Sequence, residues 1–346
     1  MDCFGSIGQA FGTMKFRFTS IHSSGHSKDL SRRLLMMVSL AAVLLFSTTA
    51  AALQIEDDQG KIIRLEQPAG RVISLYGAFA EMLYAIGAGD RLIARTEADH
   101  FPDAIRELPS IGTHMRPNVE MIIGIKPDLI IQSVSRQEAM AEMDSLARAG
   151  IPVAVFAPRN FSDIFSVMLR LGILTGSEAT AELRVAGLKE RLRTVRERLG
   201  VDGRGQTGCE MERQRPTECA AKKPLRVFFE VRAEPLTAAG QGSVTQDILS
   251  SAGAQNVVES ERALLLYGFE SLLFADPDVY IVQTGPMNKN PADPQKRPHF
   301  DQLRAVREGR VLFVDEFLYS RPGPRCVDAV EQLAAKLYPE CFRQGP

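Results

Sequence analysis

Two copies of one short stretch constrain this chain more than anything else in it. Glu120 is followed by Met-Ile-Ile-Gly-Ile-Lys, then by Pro127, Asp128 and the apolar run Leu129 to Ile131. Glu270 is followed by Ser-Leu-Leu-Phe-Ala-Asp, then by Pro277, Asp278 and Val279 to Ile281. The glutamate-to-proline spacing is seven in both, so each copy predicts a short helix with Glu in its first turn, a break, and a buried strand. A unit that occurs twice, 150 residues apart, predicts two similar lobes and not a solenoid. A carboxylate in a first helical turn is favoured by the macrodipole by about 0.3–1 kcal/mol, which accounts for either glutamate alone. Its recurrence at the same place in both copies points to a paired use.

The 346 residues, 45% of them hydrophobic, suffice for two α/β lobes with their own cores. Charge excludes one large class of partner. Residues 1–52 carry a net +3 and the rest −4, giving the overall −1, so there is no basic face for nucleic acid. Trp is absent, so a planar ligand has to be held by Tyr, Phe, Met or aliphatic groups.

Arg32 and Arg33 precede an apolar run from Leu34 to Phe46, and Ala50, Ala51 and Ala52 follow. As a helix the run spans about 20 Å, short of the roughly 30 Å hydrocarbon core, and small residues at Ala50 and Ala52 suit cleavage before Leu53. Residues 1–52 are therefore expected to be a cleavable signal peptide for the periplasm, with no membrane insertion after processing. No Cys stands in the small-residue region, so a form without lipid attachment is expected. The arginine pair loosely resembles a twin-arginine signal, and the long front end makes Met14 a second candidate start. A loop-closing disulfide between Cys209 and Cys219 is sterically easy, whereas Cys326 and Cys341 flank a predicted helix ~20 Å long and do not pair across it. Neither pair has metal-ligand spacing.

Strands and helices alternate along the rest. Strands are expected at residues 71–76, 92–96, 128–132 and 152–156, with helices near 78–86, 136–149 and 162–174. Further strands are expected at 225–231, 279–283 and 310–315, with helices near 244–252, 299–306 and 322–337. Alternation of this kind predicts parallel sheets covered on both faces, with about five strands in each half. Between the halves, residues 177–200 read as one helix of roughly 33 Å. Ser177 is its expected cap, Leu183, Leu188, Leu192 and Val195 its apolar edge, and Gly200 its end. The expected division is an N-terminal α/β lobe at 53–176, a rigid linking helix at 177–200, a polar insertion at 201–223 and a C-terminal α/β lobe at 224–346. The fold class is thus α/β: two lobes, each with a central, mostly parallel sheet flanked by helices, joined by one long helix.

The order Arg-Val-Ile-Ser-Leu, Ile-Gly-Thr-x-x-x-Pro-Asn-Val-Glu, Lys-Pro-Asp-Leu-Ile, a long mid-chain helix, Gly-Phe-Glu-x-Leu, Pro-Asp-Val-Tyr-Ile and Arg-Pro-Gly-Pro-Arg runs over residues 71–338. It resembles the periplasmic binding proteins of importers for ferric chelates and cobalamin. The resemblance implies a chelate (ferric siderophore, haem or cobalamin) held between the lobes as cargo, with no resident cofactor, and an ABC importer permease as partner. One glutamate per lobe docks on permease arginines in that family, and the matching positions are Glu120 and Glu270. Ligands of open α/β sheets sit beyond the carboxyl ends of the strands. That rule nominates Tyr76, His100, His114, Arg116, Gln241, Tyr267, Tyr319 and Arg321 as ligand-binding residues, with the flexible turn Gly240 to Ser243 beside them. By resemblance, His114 stands where cobalamin binders can carry an aromatic residue, and Arg321 where a polar contact to the chelate is common. Arg325, one turn into the last helix, fits a structural role as well as a ligand contact.

Other classes fit less well. No Gly-x-Ser-x-Gly elbow, His-Glu-x-x-His pair or phosphate-cradling loop supports an enzyme. A zinc or manganese binder wants clustered ligands, yet beyond the leader only His100, His114 and His299 remain, and they are scattered. A periplasmic ligand-sensing subunit built on the same lobes differs only in what it docks to.

Overall fold

A computed structural model describes residues 52–113, 115–133, 144–200 and 223–343. Residues 1–51 of the expected leader, His114, the start of the helix expected at 136–149, and Cys209 and Cys219 lie outside these.

The first lobe is built on four parallel strands, β3 (Val72–Ser74), β4 (Leu92–Ala94), β5 (Leu129–Ser133) and β6 (Val153–Phe156), in the order β4-β3-β5-β6. Their side chains are near-continuously apolar and buried, Val72, Ile73, Leu129, Ile130, Ile131 and Phe156 completely so. Strands with both faces covered have this pattern. Before them stands an antiparallel hairpin, β1 (Leu53–Glu56) and β2 (Ile62–Leu65). No expectation covered it, because four-residue strands with half their positions exposed carry little periodic signal. The hairpin is tied to the sheet by its turn: Asp57 Oδ2 accepts the Val155 N–H (3.1 Å), and Asp58 pairs with Arg170 (2.7 Å).

The second lobe has six strands, against an expected count of about five of which three have expected positions: β7 (Leu225–Arg232), β8 (Thr237–Ala239), β9 (Ala254–Asn256), β10 (Leu264–Leu266), β11 (Val279–Thr284) and β12 (Val311–Asp315). β9, β7, β11 and β12 run parallel, and β8 and β10 pair antiparallel at the edge. The three strands not foreseen are three residues each, too short for a period of two to register.

Helices cover the sheets: α1 (Gly77–Ala85), α2 (Val119–Ile125), α3 (Phe161–Thr175), α4 (Glu178–Arg198), α5 (Val244–Ser251), α6 (Phe269–Ala275) and α7 (Cys326–Leu337). α4 is the long connecting helix. It buries Ala181, Val185, Leu188, Leu192 and Val195, but Leu183, expected on the same edge, is 75% exposed. The buried positions follow i, i+4, i+7, i+11, i+14 from Ala181, and residue 183 falls off that stripe. Ser177 occupies the cap position without a capping side-chain bond, and Gly200 ends the helix with φ +66°. The α3–α4 elbow is tight: a Cβ on Gly172 would lie 2.8 Å from the Ala181 Cβ. On its other side α4 meets α7, where Arg191 bonds both Glu331 (2.6 and 2.8 Å) and Asp328 (2.6 Å).

One buried apolar cluster takes in Val72 and Phe156 of the first sheet, α3, Leu188 and Leu192 of α4, Phe229 and Ile281 of the second sheet, and Val330 of α7. The outer face of each sheet has a smaller cluster of its own. The halves therefore share an interior, which α4 helps fill. Cys326 is free and buried, whereas Cys341 is disulfide-bonded, so these two do not pair with one another.

Candidate functional site in the cleft between the lobes

The duplicated stretch is a duplicated structure. α2 and α6 are both seven residues long, and each begins one residue before its glutamate. Each ends on a left-handed residue, Lys126 (φ 51°) and Asp276 (φ 34°). The aspartate after the proline then clamps a neighbouring strand. The Asp128 N–H donates to the Arg71 carbonyl (2.8 Å), and Asp128 Oδ2 accepts the Arg71 N–H (2.9 Å). Asp278 and Arg226 repeat the exchange, at 2.8 Å each way. Both arginines also reach back to carbonyls at the helix ends: Arg71 to Ile125 and Lys126, Arg226 to Asp276. Glu120 and Glu270 take no part in this framework and are exposed.

Parallel strands bring their carboxyl ends to one edge, and there the two lobes meet through four charged side chains. Arg321, which follows the short helical turn Glu316–Tyr319, is buried, with Nη1 3.5 Å from Asp99 Oδ1 and 3.8 Å from Glu81 Oε1. Arg325 grips Glu81 through both nitrogens of its fork (2.9 and 2.7 Å). Glu81 lies on α1 and is 3% exposed. Burial pushes its carboxyl above the ordinary 4.5, while the Arg325 bonds and the charges of Arg325 and Arg321 pull the other way. Asp99 is fixed by the Thr96 hydroxyl (2.7 Å). Gly77 is required beside it, since a Cβ there would lie 2.0 Å from Arg321 Nη1 and 2.2 Å from Asp99 Oδ1. Glu81 gave no signal in the sequence: it reads as the polar position of an apolar helix, and its partners come from the far end of the chain.

Above this network is a recess of about 290 Å³ lined from both lobes, by residues 98–106 on one side and 315–325 on the other. The Arg321 guanidinium stands over Phe317 (4.5 Å) and Tyr76 (5.7 Å), and that of Arg325 over Phe101 (3.9 Å), placing cations on aromatic faces. Burial raises the Tyr76 phenol to about 12, so it stays protonated at neutral pH.

Of the residues nominated from the sequence, His100 and Arg321 line this recess, and Tyr76 lies against Arg321. Tyr267 lines a second recess on the C-terminal lobe. Arg116 and Gln241 are exposed and line neither. Tyr319 is buried at 1% exposure, its ring on Phe229 (6.4 Å), so it is core and offers a ligand no surface. The turn at Gly240 to Ser243 is not the flexible one expected. Gly240 and Gln241 donate to the carbonyls of Ala263 and Ser260 (3.0 and 2.7 Å), and a Cβ on Gly240 would lie 2.2 Å from the Arg262 carbonyl oxygen. These glycines serve close backbone approach.

Residues 72–207 match the family described as periplasmic binding protein. The chain is 26% identical over 293 residues to the uncharacterized ABC transporter substrate-binding lipoprotein YvrC of Bacillus subtilis, covering 84% of this chain and 87% of that one. It is 25% identical over 276 residues to the vitamin B12-binding protein of Vibrio cholerae, covering 78% and 90%. Among solved structures it resembles a possible iron-binding (periplasmic solute-binding) protein from Staphylococcus epidermidis, at 25% identity and TM-score 0.64, over 79% of this chain and all of that one. The periplasmic haem-binding protein BhuT with two hemes shares the fold, at 22% identity and TM-score 0.65, over 80% and 100%. The two-lobed architecture and the resemblance to chelate-type binding proteins both hold. By name these relatives are binding proteins, the Bacillus one of an ABC transporter, and among the described residues no helix is long and apolar enough to cross a membrane.

Proposed function

We propose that this chain, a relative of the periplasmic binding proteins, captures a metal chelate between its lobes and delivers it to an ABC importer, without catalysing a reaction and without a resident cofactor. The observation that carries this reading is the repeat. Two exposed glutamates, each in the first turn of an equivalent helix, belong to lobes that share one core. A membrane partner thus meets two carboxylates at a set spacing. Apolar surface accompanies them: Phe274, 95% exposed, lies one helical turn beyond Glu270, and Ile123, 42% exposed, one turn beyond Glu120. Exposed aromatic side chains beside charges are typical of sites covered by a partner.

In this reading Tyr76, His100 and Arg321 contact the chelate at the cleft, with Tyr267 on the C-terminal side and Arg116 and Gln241 at the rim; His114, outside the described residues, is proposed as a ligand contact on the resemblance alone. Tyr319 supports the wall from behind. Arg321 has donors to spare, because its contacts to Asp99 and Glu81 are long. The mature chain works in the periplasm, freed by cleavage before Leu53 and not lipid-anchored, although the Bacillus relative is named a lipoprotein. The residue at that junction opens strand β1.

Glu120→Lys with Glu270→Lys tests the docking role. The double variant should abolish chelate uptake in cells while the purified protein binds its chelate as tightly as wild type. Loss of affinity would assign the glutamates to the cleft or the fold instead.

A further inference from the structure

The second recess, about 670 Å³, lies wholly on the C-terminal lobe. Arg232 at the end of β7 and the loop after β11, from Met287 to Pro298, line it, which puts it on the carboxyl edge of the sheet, where ligands of this architecture sit. Its volume is in the range of small-molecule sites, about 300–1,000 Å³.

The walls are held in place. Glu230 is 0% exposed and accepts from Tyr280 Oη (2.5 Å), Asn288 Nδ2 (3.2 Å) and both Nη atoms of Arg297. Asn288 in turn donates to the Gln283 carbonyl (2.8 Å) and accepts from the Ala233 N–H (3.1 Å). Arg297 also holds the Ala292 carbonyl (2.6 and 2.8 Å), which closes the loop. The one buried carboxylate here is therefore consumed by the one buried guanidinium.

The charges left over are the informative part. Arg232, Lys289 and Lys296 line the recess and, among the described residues, none has a carboxylate within bonding distance. Of the lining residues Glu234, exposed, is the acidic one, and a second carboxylate, Glu259, acts on Tyr267 from outside the lining. Beside the cations lie Tyr267, Phe269, Met287 and Phe300, with Phe269 stacked on Phe300 (5.0 Å). A preformed hollow with an apolar wall and three unpaired cations suits a ligand with an apolar body and anionic groups.

We infer that this recess binds the anionic groups, carboxylates in chemical class, of the transported chelate, so that the cargo is a negatively charged chelate and not a neutral or cationic one. The inference rests on the chelate-receptor reading and adds to it a substrate class and a second point of attachment.

The test is titration calorimetry of the mature protein at low and high salt with haemin and ferric citrate as anionic probes, cyanocobalamin as a neutral one and ferrioxamine as a cationic one. An anionic probe should bind tightest and weaken as NaCl rises from 50 to 500 mM. The Arg232→Gln/Lys289→Gln/Lys296→Gln variant should bind it at least about tenfold more weakly, with an unchanged melting temperature. A neutral or cationic probe binding tightest, or wild-type affinity in the triple variant, overturns the inference while leaving the chelate receptor intact. Binding of none of the four sinks the receptor reading and the inference with it.

Discussion

The Glu230–Arg297 pair makes a prediction in which a single substitution harms the fold more than a double one. Glu230 is fully buried and Arg297 nearly so, its side chain 11% exposed. Arg297→Met removes the cation and leaves a carboxylate inside the lobe with only the Tyr280 hydroxyl and the Asn288 amide as donors. Removing one partner of a buried pair costs about 3–5 kcal/mol, because the remaining charge is neither solvated nor neutralised. For a chain of this size about 2 °C accompanies each kcal/mol, so the melting temperature should fall by roughly 6–10 °C. Glu230→Gln/Arg297→Met removes both charges and keeps an amide that can still meet Tyr280 and Asn288. Its loss should be no more than about 1–2 kcal/mol, since pairs replaced together by neutral groups of similar volume come out near neutral. Scanning calorimetry of the three proteins at pH 7 decides the matter. If the single variant melts no lower than the double, Glu230 is not held as an ion by Arg297, and the wall of the C-terminal recess is organised in some other way.

Two further outcomes follow from particular contacts. Because Glu81 holds its proton more tightly folded than unfolded, its contribution is fully present below its ordinary 4.5 and is lost as pH rises through its raised folded value. Wild type should thus lose stability relative to Glu81→Gln as pH climbs from 4.5 towards neutrality, and a difference in unfolding free energy that is flat with pH would contradict the shift. On α4, Leu188→Ala should cost about 2–5 kcal/mol, as truncation of a fully packed leucine does, whereas Leu183→Ala, at a residue 75% exposed, should stay within about 0.5 kcal/mol; urea unfolding compares them directly.

How much of this was legible in the sequence depended on range. The repeat was visible because its pattern is local: a glutamate, six residues, a Pro-Asp and an apolar run. What made the repeat structural, the exchange between Asp128 and Arg71 and between Asp278 and Arg226, spans 57 and 52 residues and leaves no trace in spacing. The same distinction separates the site residues. His100 and Arg321 were found by the rule that loops at strand ends face the cleft, and Tyr319 was carried along by the same rule although its ring turns inward onto Phe229. Strand-end position says which loop matters; it does not say which way a side chain in that loop points. Glu81 and Asp99 were invisible as a pair with Arg321 because 240 and 222 residues separate them from it.

The shared interior bears on how a ligand could be reported to a partner. Two lobes joined by a loop could swing through large angles, since only loop torsions would oppose them. Here the joint is α4, packed on α3 at an elbow too close for any side chain at Gly172 and tied to α7 by the Arg191 fork. A wide opening would separate Leu188, Leu192 and Val195 from their neighbours. Exposing those three side chains would cost on the order of 5–9 kcal/mol at about 1.5–3 kcal/mol each, comparable with the whole stability of many domains. On the proposed receptor reading, closure would therefore be confined to small tilts of one lobe on the other. On the docking proposal, a partner that gripped Glu120 and Glu270 together would sense such tilts as changes in their spacing, and charge-assisted bonds, whose geometry is narrow, are suited to registering them.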